Sequence, residues 1–89
     1  MGPLRRGGWY LYLVKCADGT LYTGITNDLQ RRIDRHNDGT ASRYTRSRLP
    51  VVLVYREGCR GRSGALKKEY RIKSLSRKEK KAYIARTTR

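Results

Sequence analysis

From residue 9 to residue 25 the chain reads WYLYLVKCADGTLYTGI, aromatic and β-branched positions on either side of a polar Asp18-Gly19 step. That pattern predicts a β-hairpin. A loop of Asp18-Gly19 alone would pair Ala17 with Thr20 and put Tyr12 and Tyr22 on opposite faces. A three-residue loop, Ala17-Asp18-Gly19, with the glycine left-handed and a bulge beside it, pairs Cys16 with Thr20 instead. Tyr12, Val14, Tyr22 and Gly24 then share one face, and Leu11, Leu13, Leu21 and Ile25 the other. The second register separates the aliphatic side chains more cleanly and is the one expected.

Beyond the hairpin the period changes. Asn27, with Gln30 three residues on, has the pattern of a capping box, and Gly39 suits the position just past a helix end. Between them Leu29, Arg32, Ile33 and His36 fall on one helical stripe. Residues 39–50 (GTASRYTRSRLP) are polar, basic and closed by a proline, and are expected to form a loop. Residues 51–55 predict a third strand, too apolar to be an exposed edge on both faces. A Gly- and Arg-rich loop over residues 57–62 follows. Ser63 is placed to cap a helix ending near Leu75, and Ser76 with Glu79 makes a second capping box that opens a last helix ending near Arg86. Residues 1–8 carry Pro and Gly without periodicity and are expected to be a disordered lead-in to a domain over residues 9–86. The expected fold is α+β: a small three-stranded, mainly antiparallel sheet with helices packed on it, in the order β-β-α-β-α-α.

Some positions resist a purely structural account. Laid out at the helical period, Ala65, Leu66, Tyr70, Ile72 and Leu75 define an apolar arc with Glu69 near its centre, while Lys67, Arg71 and Ser74 take the opposite side. A carboxylate on a core-facing stripe is costly unless a cation or a metal partners it. Both an ion pair with Lys or Arg and a metal-ligand role remain open. Arg32 and His36 pose the converse question: they either snorkel to solvent or point into a shared polar cleft. Tyr10, Tyr12 and Tyr22 on one strand face are either ordinary sheet aromatics or stacking partners for bases.

Composition narrows the choice of partner. The 89 residues carry 22 Lys and Arg against 7 Asp and Glu, a net charge of +15. Self-repulsion of that size disfavours a compact state, which makes a polyanion the natural partner, nucleic acid first. No apolar run approaches the ~20 residues that span a bilayer, and no signal-peptide core is present, so a cytoplasmic protein is expected. Free thiols are expected for Cys16 and Cys59 in that reducing compartment, a disulfide being the alternative. With one histidine and no CxxC, the ligands for a structural zinc site are lacking.

Taken together, the elements that must pack on one another carry tyrosines, an arginine, a histidine and a glutamate. Phosphodiester cleavage uses such groups: a cation against the charge building on the phosphate, a carboxylate to hold a divalent ion, and a base for water. Tyrosine fills the last role when neighbouring positive charge favours its ionised form.

At these residues the chain resembles the GIY-YIG nucleases. Tyr10-Leu11-Tyr12 is similar to the first family motif, with Tyr10 and Leu11 in place of its glycine and isoleucine and the functional tyrosine kept as Tyr12. Tyr22-Thr23-Gly24 is similar to the second, followed by Asn27-Asp28-Leu29 and Arg31-Arg32. His36 and Glu69 match the family's helical His/Tyr position and its metal-binding glutamate. Stretches such as LYTGITNDLQRR, RYTRSRLPVVLVY and ALKKEYRIKSLS resemble a group of small stand-alone bacterial members. The resemblance runs from about Trp9 to Ile84.

It implies a metal-dependent endonuclease with one Mg²⁺ or Mn²⁺ held by Glu69 and largely by waters. Tyr22 is the implied general base, oriented by Tyr12; Arg32 contacts the scissile phosphate; His36 assists proton transfer or phosphate binding. Arg43, Tyr44, Arg46 and Arg48 would grip the backbone, Tyr44 by stacking, the alternative being a merely solvated loop. DNA, structured or damaged, is expected ahead of RNA. Family members with a defined substrate usually attach a second DNA-binding or repair module; none is visible here, so a protein partner supplying specificity is a further expectation. Two other readings stay open: a non-catalytic or partner-dependent nucleic-acid-binding module, and an interaction subunit docking an acidic protein.

Overall fold

A computed structural model of the chain describes residues 8–87; the expected lead-in, apart from Gly8, lies outside them. β1 (Trp9–Lys15) and β2 (Leu21–Thr26) form the hairpin. Gly19 sits at φ +85°, its N–H donates to the Cys16 carbonyl, and the Cys16 N–H donates to Thr20. This is the longer of the two loops weighed. It sets Tyr12 opposite Gly24 and Val14 opposite Tyr22. β3 (Val52–Cys59) pairs antiparallel with the other side of β1, giving the order β2-β1-β3.

With neighbours on both edges and packing on both faces, β1 is buried continuously from Leu11 to Val14. Its alternation splits the core. Tyr12, Val14 and Cys16 pack with Leu29 and Val51 on one face. On the other, Leu11 and Leu13 pack with Tyr55 and Ile72, against which Leu21, Ile25, Leu75, Tyr83 and Ile84 rest. Cys16 and Cys59 are both free thiols.

Four helices complete the α+β fold: α1 (Leu29–Asn37), α2 (Arg43–Arg46), α3 (Gly61–Lys73) and α4 (Arg77–Thr87). Several boundaries differ from expectation. Asp28, not Asn27, caps α1, because β2 runs on to Thr26, whose hydroxyl accepts the Asp28 N–H at 3.0 Å. The helix ends as predicted: Gly39, at φ +85°, donates to the His36 carbonyl and Thr40 to that of Arg35, which is the Schellman arrangement. Part of the expected 39–50 loop folds into α2, because the Ser42 hydroxyl accepts from the backbone of Tyr44 and Thr45.

β3 outruns its expected end and turns into α3 at Gly61, so Ser63 lies inside the helix rather than at its cap. It is an edge strand with a one-residue register shift: Leu13 pairs with Tyr55 but Val14 with Leu53, which leaves Val54 as the bulged residue. Val52 and Val54 are consequently exposed, a bulge being one way of spoiling an edge for further pairing.

The arc assigned to α3 also needs correction. Ala65 and Ile72 are buried, but Leu66 and Tyr70 point to solvent. The buried stripe is thus rotated from the one that hydrophobicity alone suggested. At the other end, the Ser76–Glu79 capping box forms with both reciprocal bonds, 3.1 Å and 2.8 Å.

Candidate active site

The site is assembled around Tyr12. Its ring lies across β2 directly over Gly24, where an added Cβ would stand 2.5 Å from Tyr12 Cζ and closer still to its hydroxyl. Only glycine leaves room for this crossing. Across the gap α1 presents His36, which is 1% exposed. The Tyr12 hydroxyl and His36 Nε2 are 2.8 Å apart, and His36 Nδ1 is 2.9 Å from Thr45 Oγ1 on α2.

The direction of this chain follows from its far end. The Ser42 carbonyl can only accept, so the Thr45 hydroxyl donates to it at 3.4 Å and accepts from His36 Nδ1–H. Nε2 is then the acceptor for Tyr12. Burial first, and the Arg32 charge second, hold the His36 pKa below its ordinary value, which keeps the ring in the neutral form the chain requires.

Tyr22 packs edge-on against His36, centroids 5.4 Å apart, and stacks on Tyr44 at 5.9 Å. Arg32 and Glu69 are near enough to act on Tyr12. Burial pushes the Tyr12 hydroxyl far above the usual phenol range; Tyr22 and Glu69 add to that rise and Arg32 opposes it. Tyr12, Tyr22, Arg32, His36 and Glu69 thus come from β1, β2, α1 and α3 to one place. The Glu69 side chain is 19% exposed and pairs with Lys73 at 3.6 Å, so the ion-pair alternative is realised. Lys73 Nζ also lies 5.9 Å from the centre of the Tyr22 ring.

The basic segment divides. Arg43 and Arg46 are exposed on α2. Arg48 is committed within the protein: it pairs with Asp18 at 3.0 Å, donates to the Tyr44 carbonyl at 2.7 Å and covers the Tyr44 ring at 4.0 Å. Tyr22 stacks on the same ring, and Tyr44 remains 40% exposed.

Four contributors were missed in the sequence. Gly24 was placed on the right face without its role. Thr45 sat in what was read as loop; Ser42 as a helix cap would have put it on the first turn. Lys73 follows Glu69 at the i+4 spacing of a helical ion pair. Asn37 accepts from Val51 N–H at 2.7 Å and donates to its carbonyl at 3.2 Å, tying α1 to the start of β3; no local pattern announces that contact.

Among the described residues no group of three or more His, Cys, Asp or Glu is placed to hold a metal ion. One half-buried carboxylate beside tyrosine hydroxyls does not suit zinc. It does fit a hard divalent ion that keeps most of its water shell.

Comparison with known proteins places the chain in a nuclease-type family. The family described as the GIY-YIG catalytic domain matches residues 8–83; the chain belongs to the GIY-YIG family. It is 58% identical over 80 residues to a UPF0213 protein of Desulfotalea psychrophila, covering 89% of this chain and 73% of that one. A UPF0213 protein of Halobacterium salinarum is 49% identical over 73 residues, 82% and 95% of the two chains.

Two solution NMR structures share the fold. The UPF0213 protein of Bacillus halodurans aligns with TM-score 0.59 and 38% identity, over 90% of this chain and 85% of that one. A protein of E. faecalis aligns with TM-score 0.65 and 36% identity, over 93% and 88%. Among the described residues no helix is long and apolar enough to cross a membrane.

Proposed function

We propose that the protein is a metal-dependent endonuclease that hydrolyses phosphodiester bonds in DNA. The observation that carries this reading is the convergence of Tyr12, Tyr22, Arg32, His36 and Glu69 on one place in a chain of net charge +15. Glu69 would hold one Mg²⁺ or Mn²⁺, which would supply Lewis-acid stabilisation of the developing charge. Arg32 binds the scissile phosphate and opposes the charge that grows on it.

Tyr22 is the general base for the attacking water, directly or through the water network, giving up its own hydroxyl proton to surrounding water as it takes one. Tyr12, locked by His36 and raised in pKa, is a poor base, and it orients the water and Tyr22 instead. His36, buried with both ring nitrogens engaged, is a positioning residue that acts through Tyr12 and does not touch phosphate. Arg43 and Arg46 hold the flanking backbone, contributing affinity that falls with salt. The free thiols fit a reducing compartment such as the cytoplasm.

One observation favours a second reading, a binding module without turnover: Lys73 already pairs with Glu69 at 3.6 Å. Incubation with supercoiled plasmid, branched DNA, single-stranded DNA and RNA, each with Mg²⁺, Mn²⁺ or EDTA, separates the two. The nuclease reading expects cleavage that needs metal, DNA being cut ahead of RNA. Salt-sensitive binding with no cleavage under any condition would establish the binding module.

A further inference from the structure

Tyr70 is 84% exposed. The other tyrosines among the described residues are each engaged: Tyr10, Tyr12 and Tyr22 in the core around β1, Tyr44 under Arg48, and Tyr55 and Tyr83 on the Glu57 carboxylate. No ring, hydroxyl or cation of the described residues engages Tyr70. It stands on a helix in mid-turn, so its position is fixed by the backbone of α3.

The surroundings of this ring are basic. Lys67 lies three residues before it, Arg71 follows it and Lys73 lies three residues after, all on the exposed side of α3. Leu66, also exposed, is one turn back. Tyr70 is also next to Glu69, about 1.5 Å further along the helix axis and ~100° around it. Lys73 turns towards the candidate site, where it meets Glu69 and the Tyr22 ring. Tyr70 thus stands on the same helix as Glu69, one residue beyond it.

Charge selects nucleic acid for this surface, and ring geometry selects its form. In a duplex both faces of each base are covered by its neighbours in the stack. Only an unpaired base can lay a face on an exposed phenol ring, with cations alongside for the flanking phosphates.

We propose that Tyr70, flanked by Lys67 and Arg71, is a stacking platform for an unpaired nucleotide adjoining the cleaved bond. The substrate class is then nucleic acid with a single-stranded segment, such as an overhang, flap or open junction, rather than uninterrupted duplex. This inference rests on the nucleic-acid reading above, but not on catalysis.

The test is binding in EDTA, so that no strand is cut. Fluorescence anisotropy compares a labelled single-stranded oligonucleotide with the duplex of the same sequence, for wild type, Tyr70→Ala and Tyr70→Phe. A 2-aminopurine base in the single strand reports stacking directly. Tyr70→Ala is expected to weaken single-strand binding about tenfold, to leave duplex binding within about twofold, and to abolish the quenching of 2-aminopurine. Tyr70→Phe should bind and quench as wild type does, a result that loss of a structural contact would not give.

Unchanged single-strand affinity in Tyr70→Ala, equal losses on both ligands, or no single-strand binding by wild type would each overturn the platform. Failure of the nuclease reading looks different: selective loss in Tyr70→Ala in a protein that cuts nothing leaves the platform standing.

Discussion

The Tyr12 hydroxyl donates to His36 Nε2 across 2.8 Å, and both residues are buried. The relationship distinguishes the two motif tyrosines. Tyr12 commits its hydroxyl proton to an internal bond, which fixes its ring. Tyr22 packs edge-on to the same imidazole and makes no such bond to it.

Since burial and the Arg32 charge both disfavour the imidazolium, the folded-state pKa of His36 lies below its ordinary value. The unfolded chain then takes up a proton near pH 6.5 that the folded chain refuses. Stability contributed by the neutral ring is complete above that pH and is lost as pH falls through it towards the lower folded value. His36 is the one histidine of the chain, so its ring protons can be followed by NMR without ambiguity. An apparent pKa below 6.5 is expected, together with a Tm that drops between neutral and mildly acidic pH more steeply in wild type than in His36→Asn. A titration at or above the free-histidine value would contradict the hydrogen-bond direction assigned here.

Substituting Gly24 by alanine adds one methyl group, yet that carbon would stand 2.5 Å from Tyr12 Cζ. Real contacts are never that short, so either the strand or the ring must move. Overpacking of this kind costs about 1–3 kcal/mol, and here the ring displaced is the one bonded to His36. Gly24→Ala is expected to lower the denaturation midpoint by that amount and to lose most cleavage, whereas an unchanged midpoint would show that Tyr12 does not lie over β2.

On the opposite sheet face Glu57 accepts from Tyr55 at 2.7 Å, from Tyr83 of α4 and from Lys68 of α3. Burial alone would raise its pKa, but the bonds from Lys68, Tyr83 and Tyr55 outweigh that and hold the carboxyl low. Glu57→Ala leaves all these donors without their acceptor, and is expected to destabilise the fold by about 2 kcal/mol. Glu57→Gln, which keeps an acceptor oxygen, should cost less. Urea denaturation of both variants measures the difference, and equal, negligible losses would remove Glu57 as the tie between β3, α3 and α4.

Local chemistry was legible in the sequence where it acts alone. The Gly19 loop set the hairpin register, and with it the shared face of Tyr12 and Tyr22. Gly39 ended α1, and Ser76 with Glu79 opened α4, because each motif satisfies its own backbone groups. Asn27 was mistaken for the cap because two capping residues stand side by side, and the choice belongs to Thr26, which is still in the sheet. Thr45 was hidden in a basic loop, since what makes it part of the site is a histidine nine residues away in sequence.

Tyr70 was assigned to the core because periodicity counts a tyrosine as apolar wherever it falls. Periodicity carries no knowledge of which helix face the sheet covers, and α3 turns Ala65 and Ile72 inward instead. The candidate catalytic residues were named through resemblance to a family, and their three-dimensional convergence required the fold.

The central claim is tested most directly by nicking of supercoiled plasmid in Mg²⁺, with wild type, Glu69→Gln and Arg32→Ala purified in parallel and shown by circular dichroism to be folded. The account predicts metal-dependent nicking by wild type and its loss, by at least about a hundredfold, in both variants. Nicking that persists at wild-type rates in the two variants would contradict the assignment of catalysis to this site.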